Sequence, residues 1–402
     1  MCESYQFVRK KNTGRRSIAR DVQTSQTVSR DWLRKGGGPW EVNMILASVA
    51  FVLLTSALAG AGTPTHEYRV LPPITRGNLS LFPIVGGAEG NTVPLLTLDE
   101  GLRAGAVVVA EAGSLQGLVR PGTNHPRNTA GEVNRLVLVN NSDRPLLLLA
   151  GEVVTGGKQD RVIGVDRIVP PKSDPIDLSV FCVEPGRWVA SSEHFGSMSA
   201  AMAQPSVRMP AMALRDQRQV WDRVASANAG IAAAAPQAAP VIGGTTSYAK
   251  VMQNPEVEKK VTSVAANYDG LLHELRKVGA KGVVVAVNGR ITWADVFAST
   301  DLLEKYWQKL IRSYAAESLT DAGTGAQADQ KSAQAFLDQL QGTREVSETE
   351  PGVFRRTEIT GEGYKVFTLN SLLSKEEYTV HLAKMSYKEF RNPDVRPLER
   401  MR

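Results

Sequence analysis

Cysteine is nearly absent from this chain of 402 residues. The sequence holds Cys2 and Cys182, and only Cys182 follows the apolar segment at residues 44–60, which excludes a disulfide framework. Aromatic residues make up only 6% of the chain, whereas hydrophobic residues make up 42% and charged residues 22%. This composition predicts a globular protein with a sizeable core and excludes disorder along most of the chain.

Several enzyme signatures are also missing. Lys158 follows Gly156 and Gly157, but Glu152 and Gln159 occupy the positions where a P-loop needs glycine and a hydroxyl residue. The five histidines never lie two or four positions apart, and there is no Cys-x-x-Cys pair, so the spacing predicts no metal site. The sequence therefore identifies no reaction, and the cofactor stays unknown.

The net positive charge is concentrated at the N-terminus. Residues 1–43 hold nine basic and four acidic side chains, whereas the other 359 residues hold 38 basic and 37 acidic ones. The main part of the chain has no excess of basic groups to neutralise phosphates. We therefore expect no nucleic-acid partner.

An apolar run at residues 44–60 predicts export. It ends on Ala57-Leu58-Ala59, which fits the small-x-small rule of signal peptidase and predicts a mature chain that starts near Gly60. The protein would then be periplasmic or secreted, and the basic extension at 1–43 would not be translated. In the alternative, the extension stays in the cytoplasm and residues 44–60 are an uncleaved membrane anchor.

In the exported part, the order of strand and helix patterns predicts one α+β domain at residues 61–388. A basic tail follows at 389–402. Short apolar strands dominate residues 135–188, as expected for mostly antiparallel sheets with packed helices. Helical periodicity predicts helices at Met209–Ala229 and Pro255–Gly279. Between them, the uncharged Ala/Pro/Gly-rich composition of Ala232–Gly244 predicts a loop.

The clearest local signal is a β-hairpin. Asn288-Gly289 lies between two β-type runs and predicts a type I′ turn, in which both residues need positive φ. Ser299 or Thr300 then caps a helix with aromatic residues at helical spacing from Tyr306 to Tyr314. We interpret this stripe as part of the core and not as a cofactor site.

A polar segment interrupts the apolar β region. It comprises Glu152 and the Gly156–Arg161 turn, which holds Gly156, Gly157, Lys158, Gln159, Asp160 and Arg161. In one interpretation it is a wide hairpin loop whose charges pair with each other, with Glu152 facing Arg161. In the other, the glycines allow a ligand to approach the backbone, and Lys158 and Arg161 neutralise an anion.

A second polar segment follows at Cys182, Glu184, Arg187 and Trp188. Cys182 is most simply a small buried residue, because a nucleophile would need a base and the nearest histidine is His194. Glu184 and Arg187 could pair across the Pro-Gly turn, covered by Trp188. The residues of these two polar segments are the candidate ligand-binding residues of the chain.

These segments resemble a known prokaryotic family. GEVVTGGKQDR around Glu152–Arg161 and SVFCVEPGRW at Ser179–Trp188 are similar to paired motifs of the ARG and Rhodanese-Phosphatase-superfamily-associated protein domain. QVWDR at Gln219–Arg223, the hairpin VVVAVNGRITWADVF, the Tyr306–Tyr314 helix and GEGYKVFTLN fit the same pattern, over about residues 70–388. The resemblance implies one α+β domain of about 300 residues. By its name, the family is associated with genes for ADP-ribosylglycohydrolases and phosphatase-like proteins.

Two functions remain open from the sequence. The first is an exported module that binds a small anionic or polar ligand through the Gly156–Arg161 turn. The second is a hydrolase of a phosphate- or glycoside-linked compound, such as one related to ADP-ribose, with Glu152, Asp160 or Glu184 as general acid or base. Whether the protein is an enzyme, and its oligomeric state, stay open at this point.

The export prediction can be tested by mass spectrometry of the protein purified from its native cells. Cleavage after Ala59 gives a mature chain that begins at Gly60. A protein that retains residues 44–60 and fractionates with membranes would instead show the anchor.

Overall fold

A nine-stranded antiparallel sheet is the largest element of the computed structural model. The structure describes residues 67–87, 92–111, 136–186, 191–192, 194–321, 323 and 327–387, all within one compact unit, His66–Arg402. Strands are numbered along the chain, and β2 (Ile74–Arg76) pairs with β3 beside the main path. Across the sheet the order is β1 (Tyr68–Val70), β3 (Leu79–Gly86), β14 (Gly282–Val287), β15 (Arg290–Phe297), β19 (Tyr378–Ser386), β18 (Tyr364–Ser371), β17 (Phe354–Gly361) and β16 (Arg344–Glu350).

The predicted hairpin lies in the middle of this sheet. Asn288 and Gly289 form the turn between β14 and β15 with φ values of 50° and 75°, as a type I′ turn requires. Alternate residues of β14 point to opposite faces. On one face, Val283 packs in the core that contains helix α8 (Thr300–Thr320), and on the other Val284 packs in the core that contains helix α9 (Gln330–Asp338).

Helix α8 is the main helix of the core. Ser299 is its N-cap and accepts a hydrogen bond from the Leu302 amide at 3.2 Å, and Tyr306, Trp307 and Tyr314 are buried in the large core cluster. Each large apolar side chain buried in this way contributes about 1.5–3 kcal/mol. The aromatic stripe is therefore core, as predicted.

Three smaller sheets contain the predicted β-rich region and confirm the α+β class. They share short strands and antiparallel pairing, except that β4 and β7 are parallel. Their orders are β10 (Arg167–Val169), β7 (Leu146–Leu148), β4 (Leu96–Thr97); β11 (Ile176–Leu178), β6 (Leu136–Asn140), β5 (Val107–Glu111); and β12 (Val180–Cys182), β9 (Arg161–Ile163), β8 (Glu152–Thr155), β13 (Gly196–Met202).

Shorter helices connect and cover the sheets. They are α1 (Leu98–Arg103), α2 (Pro205–Met209), α3 (Gln217–Ala234), α4 (Ala239–Gly243), α5 (Tyr248–Met252), α6 (Pro255–Ala266) and α7 (Leu271–Lys277). Helix α1 begins with the predicted capping box, in which Thr97 and Glu100 satisfy each other's backbone amides. Within the described ranges, no helix has both the length and the apolar character needed to span a membrane.

Three helix boundaries predicted from the sequence are wrong. The helix predicted at Met209–Ala229 begins only at Gln217, after a π-helical turn and the left-handed residue Arg215. The predicted loop at Ala232–Gly244 contains the end of α3 and all of α4, because alanine favours helix. The helix predicted at Pro255–Gly279 is two helices, divided at Gly270, which has a φ of 84°.

Candidate functional site

The two glycines of the Gly156–Arg161 turn lie against neighbouring protein chain. Gly156 has a φ of 134°, and a Cβ there would lie 2.6 Å from the Ser192 hydroxyl and 2.7 Å from the His194 carbonyl oxygen. A Cβ on Gly157 would overlap the Phe195 ring. Glycine is required here by close packing of the chain on itself.

The polar groups of the turn contact one another and the second polar segment. The Asp160 carboxylate accepts from the Gly156 amide at 3.1 Å and from the Ser247 hydroxyl at 3.3 Å. The Asp160 amide lies 3.4 Å from the Glu184 carboxylate, and that carboxylate lies 3.4 Å from Lys250 Nζ. The structure therefore brings Asp160 and Glu184 together.

The other residues of the turn differ in exposure. Gln159 and Arg161 are each 1% exposed; Gln159 donates to the Glu184 carbonyl oxygen at 3.3 Å and Arg161 to that of Asp160 at 3.4 Å. Lys158 is half-buried, and its amide donates to Glu111 at 2.9 Å. Of the two cations that the sequence assigned to anion binding, only Lys158 has appreciable exposure.

Cys182 is buried at the start of the second polar segment. Its sulfur accepts from the Glu184 amide at 3.3 Å, and Gln217 bonds both its backbone amide and its carbonyl oxygen at 2.8 Å. Burial raises the pKa of the Cys182 thiol, which keeps it protonated and unreactive at neutral pH. Arg187 and Trp188 lie outside the described residues.

Glu152 lies in a different cluster from the turn. Its carboxylate is 2.5 Å from Lys309 Nζ on α8, which is also 2.9 Å from Asp99. In the strand ladder, Arg161 is opposite Val154 and not opposite Glu152. Glu152 therefore ties β8 to α8 and does not join the polar groups of the turn.

A buried charge network joins α2, β15, α8 and β19. Arg208 forms two hydrogen bonds of 3.0 Å with Asp295, and both side chains are fully buried. Asp295 also accepts from the Tyr314 hydroxyl at 2.5 Å and lies 3.2 Å from His381 Nε2. The other ring nitrogen of His381 is 2.6 Å from Asp166. We call these five residues the Arg208–Asp295 network.

The described residues also form a polar cleft of about 250 Å³ between the β14–β15 hairpin, α3 and the C-terminal end of α8. The hairpin contributes Arg290 and Thr292, and α3 contributes Arg223. Helix α8 contributes Glu317, and Asp321 directly follows the helix. We call this site the two-arginine cleft.

Glu317 is the most buried acidic group in the cleft. Its Oε2 atom accepts from the Ser206 amide at 3.0 Å, the Ser206 hydroxyl at 2.8 Å and the Gln204 side-chain amide at 3.0 Å. Burial raises the pKa of Glu317, whereas these hydrogen bonds act in the opposite direction. The three donors hold the carboxylate in place on the wall of the cleft.

The other acidic group is fixed at the end of α8. Asp321 forms an ion pair with Arg290, and its carbonyl oxygen accepts from the side-chain amides of Asn78 at 2.7 Å and Asn288 at 2.8 Å. These amides satisfy a carbonyl group that a helix end leaves unpaired. The hairpin and the helix end are therefore held together on this side of the cleft.

Thr292 provides a buried hydroxyl in the same cleft. Thr292 is one of the residues that line the cleft and is 5% exposed, and its Oγ1 atom, which has almost no exposed surface, has no hydrogen-bond partner among the described residues. A buried polar group without a partner costs about 1–3 kcal/mol. A ligand in the cleft could supply the missing hydrogen bond only if the Thr292 side chain turns its hydroxyl toward the cleft.

A second cavity of about 270 Å³ reaches the polar segments through Lys250. Its other lining residues include the exposed Val241 and the buried Ile242 and Val251. Lys250 is 60% exposed and contacts Glu184. This cavity offers one exposed cation, which is paired with Glu184, and apolar walls, whereas the two-arginine cleft offers two guanidinium groups.

Sequence reasoning did not assemble the two-arginine cleft. Arg223 was noted only within QVWDR, and Arg290 and Thr292 only within the hairpin motif. Glu317 and Asp321 follow the predicted aromatic helix and gave no signal of their own. The available signal was the position of Arg290 and Thr292 directly after the Asn-Gly turn, where a hairpin presents side chains at its tip.

Substitutions in the Gly156–Arg161 turn distinguish a sealed turn from an open one. Arg161→Ala should lower the free energy of unfolding by about 2–5 kcal/mol, because it removes a buried charged group and leaves its partners unsatisfied. Lys158→Ala should change it by less than about 1 kcal/mol. Urea unfolding followed by circular dichroism measures both. An Arg161→Ala protein as stable as the wild type would show that the turn is open to solvent.

The Arg208–Asp295 network predicts a pH dependence of stability. Burial lowers the pKa of His381, but Asp166 and Asp295 outweigh this effect and raise it to about 9, above the ordinary value of about 6.5. Protonated His381 therefore stabilises the fold below about pH 6.5, and this contribution disappears as the pH rises through about 9.

The measurement compares the wild type with His381→Gln. The stability difference between the two proteins should shrink by at most about 1.4 kcal/mol per pH unit between about pH 6.5 and 9. Lys384 titrates in the opposite sense, because burial lowers its pKa to about 7, but it is present in both proteins and cancels in the difference. A difference that is constant with pH would show that His381 is neutral in the native state.

Comparison with known proteins identifies the family. No curated protein and no solved structure matches the chain. The family model described as ARG and Rhodanese-Phosphatase-superfamily-associated Protein domain matches residues 67–385, which cover the described unit from β1 to β19. The resemblance of the sequence motifs is thereby confirmed, and the chain belongs to the ARG and Rhodanese-Phosphatase-superfamily-associated Protein domain family.

Proposed function

We propose that this protein binds a small anionic, polar ligand in the two-arginine cleft. One observation carries the proposal: Arg223, Arg290 and Thr292, whose hydroxyl has no partner among the described residues, line a single cleft of about 250 Å³. Guanidinium groups bind carboxylates and phosphates through paired, charge-assisted hydrogen bonds. The Thr292 hydroxyl would add a directional contact once its side chain turns toward the ligand.

The proposed ligand is small and anionic, like the one expected from the sequence. The proposed binding site is the two-arginine cleft, whereas the sequence pointed to the Gly156–Arg161 turn. The Gly156–Arg161 turn uses its glycines to pack against Phe195 and Ser192, and its Asp160 carboxylate accepts from the turn's own backbone. The two-arginine cleft has an open volume and charged groups that line it. We therefore place the ligand in the cleft and assign the turn a structural role.

Burial of Glu317 supports binding of a specific ligand over nonspecific attraction. The carboxylate is held by three donors and is 9% exposed, so the wall of the cleft is preorganised. A preorganised site loses little conformational entropy when a ligand binds. Together with the predicted export signal, this suggests a ligand-binding protein outside the cytoplasm.

The hydrolase alternative stays a prediction. It assigned acid–base catalysis to Glu152, Asp160 or Glu184, which are each exposed by 5% or less. Glu152 is paired with Lys309, and Glu184 lies close to Lys250. These environments suit structural carboxylates better than groups that meet a substrate, so binding is the better supported function.

A thermal-shift screen with acetate, inorganic phosphate and sugar acids tests the proposal. At a concentration 100 times its Kd, a ligand stabilises the native state by about 2.7 kcal/mol, which raises Tm by several degrees. Arg223→Gln should lose at least half of this shift, because removal of a charge-assisted hydrogen bond costs about 1.5–3 kcal/mol of binding energy.

Arg218→Gln is the matched control. Arg218 lies on the same helix as Arg223 but is exposed and does not line the cleft. The control should keep the full shift in Tm. If no anion raises Tm, or if both variants respond like the wild type, the two-arginine cleft is not the anion-binding site.

A further inference from the structure

We infer that the ligand of the two-arginine cleft is a hydroxylated carboxylic acid of monosaccharide size, that is, a sugar acid. This inference rests on the proposed function and specifies its ligand class. The observations that lead to it are the mixed charge of the cleft, the state of its carboxylates, its hydroxyl groups and its volume.

The cleft contains both signs of charge. Arg223 and Arg290 are basic, whereas Glu317 and Asp321 are acidic and lie at the C-terminal end of α8, where helix carbonyl groups add partial negative charge. A compact anion with no hydrogen-bond donors would meet both carboxylates. The cleft therefore favours a ligand that has an anionic group at one end and neutral donors elsewhere.

The carboxylates are already compensated. Asp321 is paired with Arg290, and Glu317 Oε2 accepts from Ser206 and Gln204. An ammonium group would add a full positive charge beside these satisfied groups and beside Arg223. Hydroxyl groups can instead accept from a guanidinium group and donate to a carboxylate without adding charge. This favours a hydroxy acid over an amino acid.

The hydroxyl groups of the cleft point to the same class. Ser206 Oγ donates to Glu317 at 2.8 Å, and Thr320 Oγ1 donates to the Glu317 carbonyl oxygen at 2.8 Å. Gln204 Nε2 also lies 3.0 Å from Ser206 Oγ and 3.3 Å from Thr320 Oγ1, so each hydroxyl keeps one lone pair that can accept from a ligand. Thr292 Oγ1 has no partner among the described groups and can accept or donate once its side chain turns toward the cleft. A polyol supplies enough hydroxyl groups to meet these positions.

The volume of the cleft, about 250 Å³, has room for a ligand of monosaccharide size. Val287 adds an apolar contact on the wall, which suits the C–H groups of a sugar ring.

Isothermal titration calorimetry with the full chain tests the ligand class. The probes are D-glucuronate, D-galacturonate and D-gluconate, compared with D-glucose, acetate, inorganic phosphate and L-serine. We expect at least one sugar acid to bind ten times more tightly than each of the four comparison compounds. D-glucose lacks the anionic group that the arginines would bind. Acetate lacks the hydroxyl groups that the hydroxyls and carboxylates of the cleft would bind.

Thr292 supplies the variant that separates binding from folding. Thr292→Val should weaken binding of the sugar acid about tenfold, whereas Thr292→Ser should retain most of it. Without ligand, Thr292→Val should have a Tm equal to or higher than that of the wild type, because it removes a buried hydroxyl that has no partner in the part of the chain that the structure describes. A merely structural role of Thr292 would lower Tm and leave the Kd unchanged.

The possible outcomes separate the two proposals. If acetate or phosphate binds as tightly as the sugar acids and the binding needs Arg223, the proposed function stands and the sugar-acid class is wrong. If L-serine binds most tightly, the ligand is a zwitterion and the sugar-acid class is again wrong. If no probe binds, both the ligand class and the proposed function are wrong.

Discussion

The paired hydrogen bonds between Arg208 and Asp295 hold together parts of the chain that are distant in sequence. Arg208 lies on α2, and Asp295 lies on β15 in the middle of the main sheet. Through His381 and Tyr314 the same carboxylate contacts β19 and α8. Because a fully buried ion pair loses several kcal/mol when one partner is removed, small displacements of α2 are strongly opposed. Ser206, two residues before Arg208, is thereby held against Glu317 at the cleft.

Local signals in the sequence predicted the elements whose conformation depends on a few neighbouring residues. Asn288-Gly289 dictated a turn with positive φ, and Ser299 followed by an aromatic stripe dictated a capped core helix. The division of the helical region at Gly270 was missed, because a single glycine inside an amphipathic pattern does not by itself end a helix. Strand β16 was missed because six of its seven residues are exposed and it has no alternating apolar pattern.

The functional groups were harder to predict for a different reason. The sequence indicated the Gly156–Arg161 turn as a binding loop, and the structure shows its contacts with Phe195, Ser192 and Glu184. The two-arginine cleft depends instead on α2, α3, the hairpin and the end of α8 meeting in space. No spacing rule connects Arg223 with Arg290, because their proximity results from tertiary packing and not from local periodicity.

The exposed strand β16 also affects how copies of the protein meet. It borders the main sheet and, in the part of the chain that the structure describes, pairs only with β17. Such a border could template strand addition from another molecule. Glu345, Glu348 and Glu350 lie along it, with Glu348 paired to Arg356 and Glu350 to Arg167. Because charged side chains on a border strand oppose the addition of a further strand, this row of ion pairs makes β16 a poor template for another molecule.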